Sequence, residues 1–277
     1  MPELPEVETV RRGLVQLTQN QTLQGGKVLL KRTLAHPVSA SEFIEQLQGQ
    51  TFQDWQRRGK YLLAQLSGGG VLGVHLRMTG QLFWVGRDRP LEKHTRIRLF
   101  CQDNQELRFV DTRTFGQMWL VPPKTPPETI ITGLQRLGPE PFAPEFTVEY
   151  LTQRLRRTRR TIKAALLDQY LVAGLGNIYA DEVLFVSGVR PDRVAADLKA
   201  SQIRCIHAAI PQVLEAAIAK GGTTFSDFLS LLGVPGNYGD AAQVYGRTGE
   251  PCKVCGEAIE RIKITGRSTH FCPRCQT

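Results

Sequence analysis

No apolar run in this 277-residue sequence reaches the length of about 20 that a membrane-spanning helix needs, and no secretory signal opens the chain. The expectation is a cytoplasmic protein with no membrane partner. Acidic residues are in deficit: 26 Asp and Glu stand against 35 Lys and Arg, a net charge of +9. A surplus of that sign points to an acidic partner, nucleic acid first. An amphipathic basic segment with a strong aromatic face is missing, which makes an anionic membrane the weaker option. Internal repeats are absent. Gly174-Leu-Gly176-Asn offers two glycines of a dinucleotide-binding loop, but Tyr179 stands where the third belongs. That segment also follows a helical pattern rather than a strand, so no nucleotide cofactor is expected. Cysteine is scarce, and four of the six cluster at the C-terminus while Cys101 and Cys205 sit alone in apolar contexts. This pattern belongs to a reducing compartment and a structural metal rather than to disulfides.

The apolar content of 41% supports a sizeable core, and the length allows two domains. Val7, Val10, Leu14 and Leu17 recur at helical spacing behind Pro5, which predicts an opening helix of about three turns. Ser41 heads a second, short helix. Residues 60–66, 71–77, 81–85, 95–101, 106–110 and 117–121 are short, rich in strand formers and separated by turn residues, the spacing of an antiparallel sandwich. Pro122-Pro-Lys-Thr-Pro-Pro127 and Gly138-Pro-Glu-Pro141 then mark a linker region. Helical periods follow over 148–155, 162–170, 178–186 and 198–220, with a further short helix expected over 225–231. The expected division is an N-terminal domain over 1–135, a linker over 136–146, a helical domain over 147–240 and a terminal module over 241–277.

The terminal module carries the strongest local signal. Cys252-x-x-Cys255 and Cys272-x-x-Cys275 are sixteen residues apart and supply four thiolates for one tetrahedral Zn2+. Closure by four protein ligands implies a structural ion. Residues 259–264 and 269–272 between the pairs suit a basic hairpin with Arg261, Lys263 and Arg267. A second basic run, Arg154 to Lys163, reads either as a solvated helix face or as a phosphate contact.

The first eight residues, Met-Pro-Glu-Leu-Pro-Glu-Val-Glu, offer chemistry of their own. Removal of Met1, which the small Pro2 permits, exposes a secondary amine. A terminal amine titrates near 8, roughly two units below lysine, so much more of it is neutral and nucleophilic at pH 7. Attack on an aldehyde-level carbon yields an iminium ion, a permanent cation that acts as an electron sink. Glu3 stands beside it as a proton donor or acceptor. The plainer reading makes Glu3 and Glu6 helix-start acids only.

Taken together, these stretches resemble the formamidopyrimidine-DNA glycosylase family. The resemblance runs end to end, through PELPEVE, Arg57-Arg-Gly-Lys60-Tyr-Leu, His75-Leu-Arg-Met78-Thr-Gly, Asp111-Thr-Arg113-Thr-Phe115-Gly, Leu137-Gly-Pro-Glu-Pro, Gly174-Leu-Gly-Asn177-Ile-Tyr-Ala, Gln243-Val-Tyr245-Gly-Arg-Thr-Gly-Glu-Pro-Cys252 and the cysteine pairs. It implies an α+β multidomain fold: an N-terminal two-layer antiparallel β-sandwich with flanking helices, then a helix–two-turn–helix domain and a four-cysteine zinc finger. It also implies a monomer that binds damaged double-stranded DNA in the cleft between domains and excises oxidised purines.

By the same resemblance Pro2 is the nucleophile and Glu3 the acid–base residue. Lys60 assists β-elimination, and Arg267 serves δ-elimination and DNA contact. Met78, Arg113 and Phe115 fill the space left by the flipped base, although Met78 and Phe115 alone would read as core residues. His75, His94, Arg157, Lys163, Asn177 and Tyr245 join the DNA grip. The stretch Arg157-Thr-Arg159-Arg160 departs from the family's lysine-containing pattern, which leaves open which arginine meets phosphate. Two alternatives stand beside this reading: an endonuclease VIII-like enzyme for oxidised pyrimidines, and a non-catalytic zinc-bearing DNA binder.

Overall fold

The computed structural model describes residues 1–223, 231–234 and 236–277. The expected helix over 225–231 falls almost wholly outside them. The chain divides into two compact units, one of residues 1–135 with 220–237, the other of 136–219 with 238–277.

The first unit opens with α1 (Leu4–Thr18), which is longer than expected. Glu3 and Glu6 form a reciprocal capping box at its start, and Pro5 occupies the first turn, where the missing N–H costs no bond. Val7, Val10 and Leu14 on one face are buried, as their spacing demands. There follow β1 (Gly25–Val28), β2 (Leu34–His36) and α2 (Ala40–Leu47), whose cap is Ser39 accepting from the Glu42 N–H. Then come β3 (Phe52–Arg58), β4 (Tyr61–Leu66), β5 (Val71–His75), β6 (Gly80–Gly86), β7 (Thr95–Phe100), β8 (Gln105–Asp111), β9 (Gln117–Val121) and a single turn, α3 (Pro127–Ile130).

These strands make a four-stranded sheet of order β1-β7-β8-β6 and a five-stranded sheet of order β2-β9-β5-β4-β3. One continuous core joins α1, through Val7, Val10 and Leu14, to Trp55, Leu62 and Leu72 of one sheet and Leu82, Ile97 and Phe109 of the other. All pairs are antiparallel except β2 with β9, which run parallel. Trp55 also donates its indole N–H to Thr18 at 2.9 Å, which fixes the end of α1 against β3.

The second unit holds α4 (Val148–Arg156), α5 (Ile162–Leu166), α6 (Asn177–Val186) and α7 (Ala200–Ala219), then the hairpin β10 (Glu260–Ile264) and β11 (Arg267–Phe271). Thr147 and Thr161 cap α4 and α5 through their hydroxyls. The helix expected over 162–170 stops at Leu166. Asp168 accepts from the Tyr170 N–H at 3.0 Å, and the Gln169 amide bonds both Gly174 N and Leu175 O. These local bonds replace the helical ladder with a turn. In the described residues no helix is long and apolar enough to cross a membrane.

Candidate active site

At the start of α1, Pro2, Glu3 and Glu6 are all buried. With Met1 in place the Pro2 nitrogen is an amide, so the amine requires its removal. Glu6 organises the entrance: its Oε2 accepts from the Glu3 N–H at 2.8 Å, and its Oε1 accepts from Thr223 N–H at 2.8 Å and the Thr223 hydroxyl at 3.2 Å. Gly222 beside it is at φ +79°, and a Cβ there would stand 2.7 Å from Glu6 Oε1.

Lys60 lies in the two-residue turn between β3 and β4, where Gly59 takes φ +55°. Turns of that length between twisted strands need a left-handed residue first, which glycine supplies without strain. Lys60 is buried, as is His75 at the end of β5. The His75 ring meets Tyr61 edge-on, with centroids 4.5 Å apart, and its Nδ1 accepts from the Arg77 N–H at 2.9 Å. Burial, then the charges of Arg77 and Lys60, push its pKa down to about 3. The imidazole is therefore neutral at pH 7, with Nδ1 the acceptor and Nε2 carrying the proton.

The loops after β5 and β8 carry Met78, Arg113 and Phe115. Met78 and Phe115 are 38% and 46% exposed, which removes the core-packing reading of both. Together with Met1, Arg32, Arg77, Thr114 and Gln117 they line an open cleft of about 460 Å³. The Arg113 guanidinium lies 5.1 Å from the centre of the Phe115 ring, a cation–π contact. His94 is half-buried at the start of β7, where its carbonyl accepts from Asp111 N–H and its Nδ1 pairs with Arg96.

In the second unit the expected residues gather around residues 268–270. Asn177 donates to the Ser268 carbonyl at 3.1 Å, and the Tyr245 ring meets that of His270 at 4.9 Å. Glu182, wholly buried on α6, accepts from Gln243, Val244 and Tyr245 N–H groups at 2.8–2.9 Å and so places Tyr245. Arg267 is exposed and begins β11 after a two-residue turn with Thr265 at φ +47° and Gly266 at φ +78°. Arg160 and Tyr170 share a cleft with it. Arg157 is exposed and lines a different cleft, with Arg154 and Arg160.

Lys163 corrects the expectation of a phosphate contact. It is wholly buried, and its ammonium meets Asp181 at 2.6 Å, the Ser268 carbonyl at 2.8 Å and the Thr269 hydroxyl at 2.9 Å. A cation so enclosed fixes the hairpin and does not reach a ligand. Asp111, Asp181 and Glu182 are residues the sequence did not single out for this architecture, and Glu6 was expected only as a helix-start acid. The Glu3-x-x-Glu6 spacing of a capping box was the one legible hint among them.

The four cysteine sulfurs lie within 4.8 Å of one another, with Cys255–Cys272 at 3.5 Å and Cys252–Cys275 at 3.9 Å. Zn–S bonds of about 2.3 Å in a tetrahedron place sulfurs roughly 3.8 Å apart, so the set fits one zinc ion. Backbone N–H groups of Val254 and Cys275 point at the sulfurs of Cys252 and Cys272, both at 3.4 Å. Such donors stabilise thiolates. The zinc is structural, because four ligands leave no open position.

Residues 1–118 match the family model for the formamidopyrimidine-DNA glycosylase N-terminal domain, 137–228 that for its H2TH domain, and 249–277 that for a zinc finger found in FPG and IleRS. A formamidopyrimidine-DNA glycosylase from Nostoc sp. is 61% identical over 282 residues, covering all of both chains. One from Rippkaea orientalis is 60% identical over 281 residues, again with complete coverage. Among solved structures, a Lactococcus lactis Fpg in complex with abasic-site DNA is 38% identical and superposes with a TM-score of 0.91 over 99% of each chain. The same organism's enzyme with Fapy-dG-containing DNA gives 0.90 at 38% identity, over 99% of this chain and 100% of that one.

Proposed function

The chain belongs to the formamidopyrimidine-DNA glycosylase family, DNA glycosylase/AP lyases that repair oxidised purines by base excision, and from that premise we propose that Pro2, freed of Met1, is its nucleophile. Its substrate is damaged duplex DNA, met by a single chain on the DNA of the cytoplasmic nucleoid. The amine attacks C1′ of the damaged nucleoside, the glycosidic bond from C1′ to the base breaks, and the base leaves with the proton that the amine sheds. Glu3 protonates the ring oxygen, so the sugar opens and the nitrogen becomes an iminium. Loss of a C2′ proton to a base then expels the 3′ phosphate. A second elimination expels the 5′ phosphate, and water releases Pro2. Lys60 serves the first elimination and Arg267 the second.

The target base must leave the duplex for this attack. Met78 and Phe115 replace the lost stacking, and Arg113 meets the orphaned partner base. His75 donates Nε2–H to phosphate as a neutral group, while His94, Asn177, Tyr245 and an arginine of the 154–160 run complete the grip. The division into residues 1–135, 136–146, 147–240 and 241–277 is part of the same reading.

The observation that carries the proposal is the shared cleft of Met1, Met78 and Phe115. The residue joined to the nucleophile and the side chains that would replace the base lie on one surface. Borohydride trapping on a duplex with 8-oxoguanine opposite cytosine tests it. A covalent band is expected from protein beginning at Pro2, with a loss of roughly tenfold or more in Pro2→Gly. Undiminished trapping by that variant would remove Pro2 from the role. Preference for a thymine glycol duplex would move the substrate to oxidised pyrimidines.

A further inference from the structure

Asp111 ends β8 with its carboxylate wholly buried beneath the two loops that carry Met78, Arg113 and Phe115. Its Oδ1 accepts from the Thr79 hydroxyl and, at 3.2 Å, from the Arg113 N–H. Its Oδ2 accepts from the Gly116 N–H at 2.7 Å. Thr79 Oγ1 accepts in turn from the Arg113 N–H at 3.0 Å. One anion thus holds the residue after Met78 on one loop and residues on both sides of Phe115 on the other. The backbone of Asp111 is committed as well: its N–H donates to the His94 carbonyl at 3.0 Å, and its carbonyl accepts from Arg96 Nε at 2.8 Å.

The space under the loops is full. A Cβ on Gly116 would lie 2.4 Å from the Phe109 ring and 3.0 Å from Asp111 Oδ2, and one on Gly80 would lie 2.5 Å from the Leu76 carbonyl. Each loop also holds a non-glycine residue in the left-handed region, Arg77 at φ +54° and Thr114 at φ +55°. Such conformations persist where the surroundings over-determine them. Here His75 Nδ1 fixes Arg77 N–H, and Asp111 brackets Thr114.

We propose that Asp111 is the positioning residue for base extrusion. It locks the Met78 loop to the Arg113–Phe115 loop, so that the three side chains enter the duplex as one rigid wedge. Unstacking a base step is costly, and a wedge whose halves yield separately spreads that load into its own distortion. Asp111 touches neither DNA nor the reacting atoms. The inference rests on the proposed role of Met78, Arg113 and Phe115.

Asp111→Asn turns one acceptor into a donor that faces the Gly116 N–H or the Thr79–Arg113 pair. Thr79→Val removes one link at nearly constant shape. Single-turnover excision of 8-oxoguanine from a duplex is compared with scission at a preformed abasic site in single-stranded DNA, where there is no base to extrude and no stack to fill. A 2-aminopurine beside the lesion reports opening of the stack. Asp111→Asn is expected to slow duplex excision roughly tenfold or more and to delay the 2-aminopurine signal, with single-strand scission within about twofold of the parent. Thr79→Val should show a smaller loss of the same pattern, and it decides the matter alone if the first variant does not fold. Unchanged duplex excision in both, or a parallel fall of both activities, overturns the proposal. Failure of the Pro2 reading is distinct, since the parent protein would then neither trap nor cleave the single strand.

Discussion

The ammonium of Lys163 lies 2.6 Å from the carboxylate of Asp181, and neither side chain is exposed. Asp181 Oδ2 also accepts from the His270 N–H at 2.9 Å and stands 3.2 Å from its Nδ1. Through Lys163, Asp181 and Asn177, α5 and α6 are fastened to the strand that Arg267 begins. Removing one partner of a buried pair leaves the other charge uncompensated, at a cost of about 3–5 kcal/mol. Asp181→Asn and Lys163→Met are each expected to lower stability by that order in thermal or urea unfolding. The double change Lys163→Met with Asp181→Leu should recover much of the loss. Were Lys163 a phosphate contact, Lys163→Met would instead leave stability intact and reduce the salt dependence of DNA binding by about one unit of slope.

Zinc removal acts on the same unit by another route. Cys252 and Cys272 belong to a small apolar cluster with Phe185, Val244 and Ile259, so the ion fixes a packed hairpin and not merely a loop. Chelation, or Cys272→Ser, is expected to release one zinc per chain and weaken DNA binding. The residues of the first unit should keep their own unfolding transition. Undiminished affinity after zinc loss confirmed by metal analysis would show that the finger's shape does not serve binding.

β4 to β9 were legible because they are short, rich in strand formers and bounded by turn signals, and β7 alternates as well, with Thr95, Ile97 and Leu99 turned inward. The parallel pairing of β2 with β9 was not, because a three-residue strand carries too few positions to show a period. At Pro2 and Glu3 the chemistry of a terminal secondary amine beside a carboxyl group stood against a plain helix start, and the family resemblance, not the stretch itself, favoured the amine. Met78 and Phe115 could not be told from core residues until their exposure was seen. The pairing of Asp181, and the reach of Glu6 beyond the helix start, left no trace for a different reason. Their partners His270 and Thr223 are 89 and 217 residues away, and buried hydrogen bonds at that separation leave no local pattern.

His75 gives the first unit a definite pH dependence. Its pKa in the folded protein is about 3, below the ordinary 6.5, because burial and the neighbouring cations Lys60 and Arg77 disfavour the charged ring. The unfolded chain therefore binds the extra proton more readily. The stabilisation is complete above about pH 6.5 and is lost progressively as pH falls toward 3, by about 1.4 kcal/mol per unit from this group. Urea unfolding at about pH 7 and 5 should show a drop of roughly 2 kcal/mol that His75→Gln lacks. Equal slopes for the two proteins would mean that the imidazole is already solvated in the folded state.

Glu6 joins the segment of Pro2, the proposed nucleophile, to Thr223 far along the chain. Its carboxylate accepts from the Glu3 N–H, the Thr223 N–H and the Thr223 hydroxyl. In Glu6→Gln one carboxylate oxygen becomes a donor, and whichever way the amide turns it opposes a backbone N–H. The expected relief is a shift of the Glu3 backbone, which carries the Pro2 nitrogen with it. Misplacement of a reacting atom by about 1 Å costs up to 10²-fold in rate. Single-turnover trapping by Glu6→Gln should therefore fall by roughly 10–100-fold, while affinity for damaged duplex changes little. A loss confined to affinity would place the role of Glu6 in ordering residues 222–223 alone, and full activity would show that the amine finds its geometry without this carboxylate.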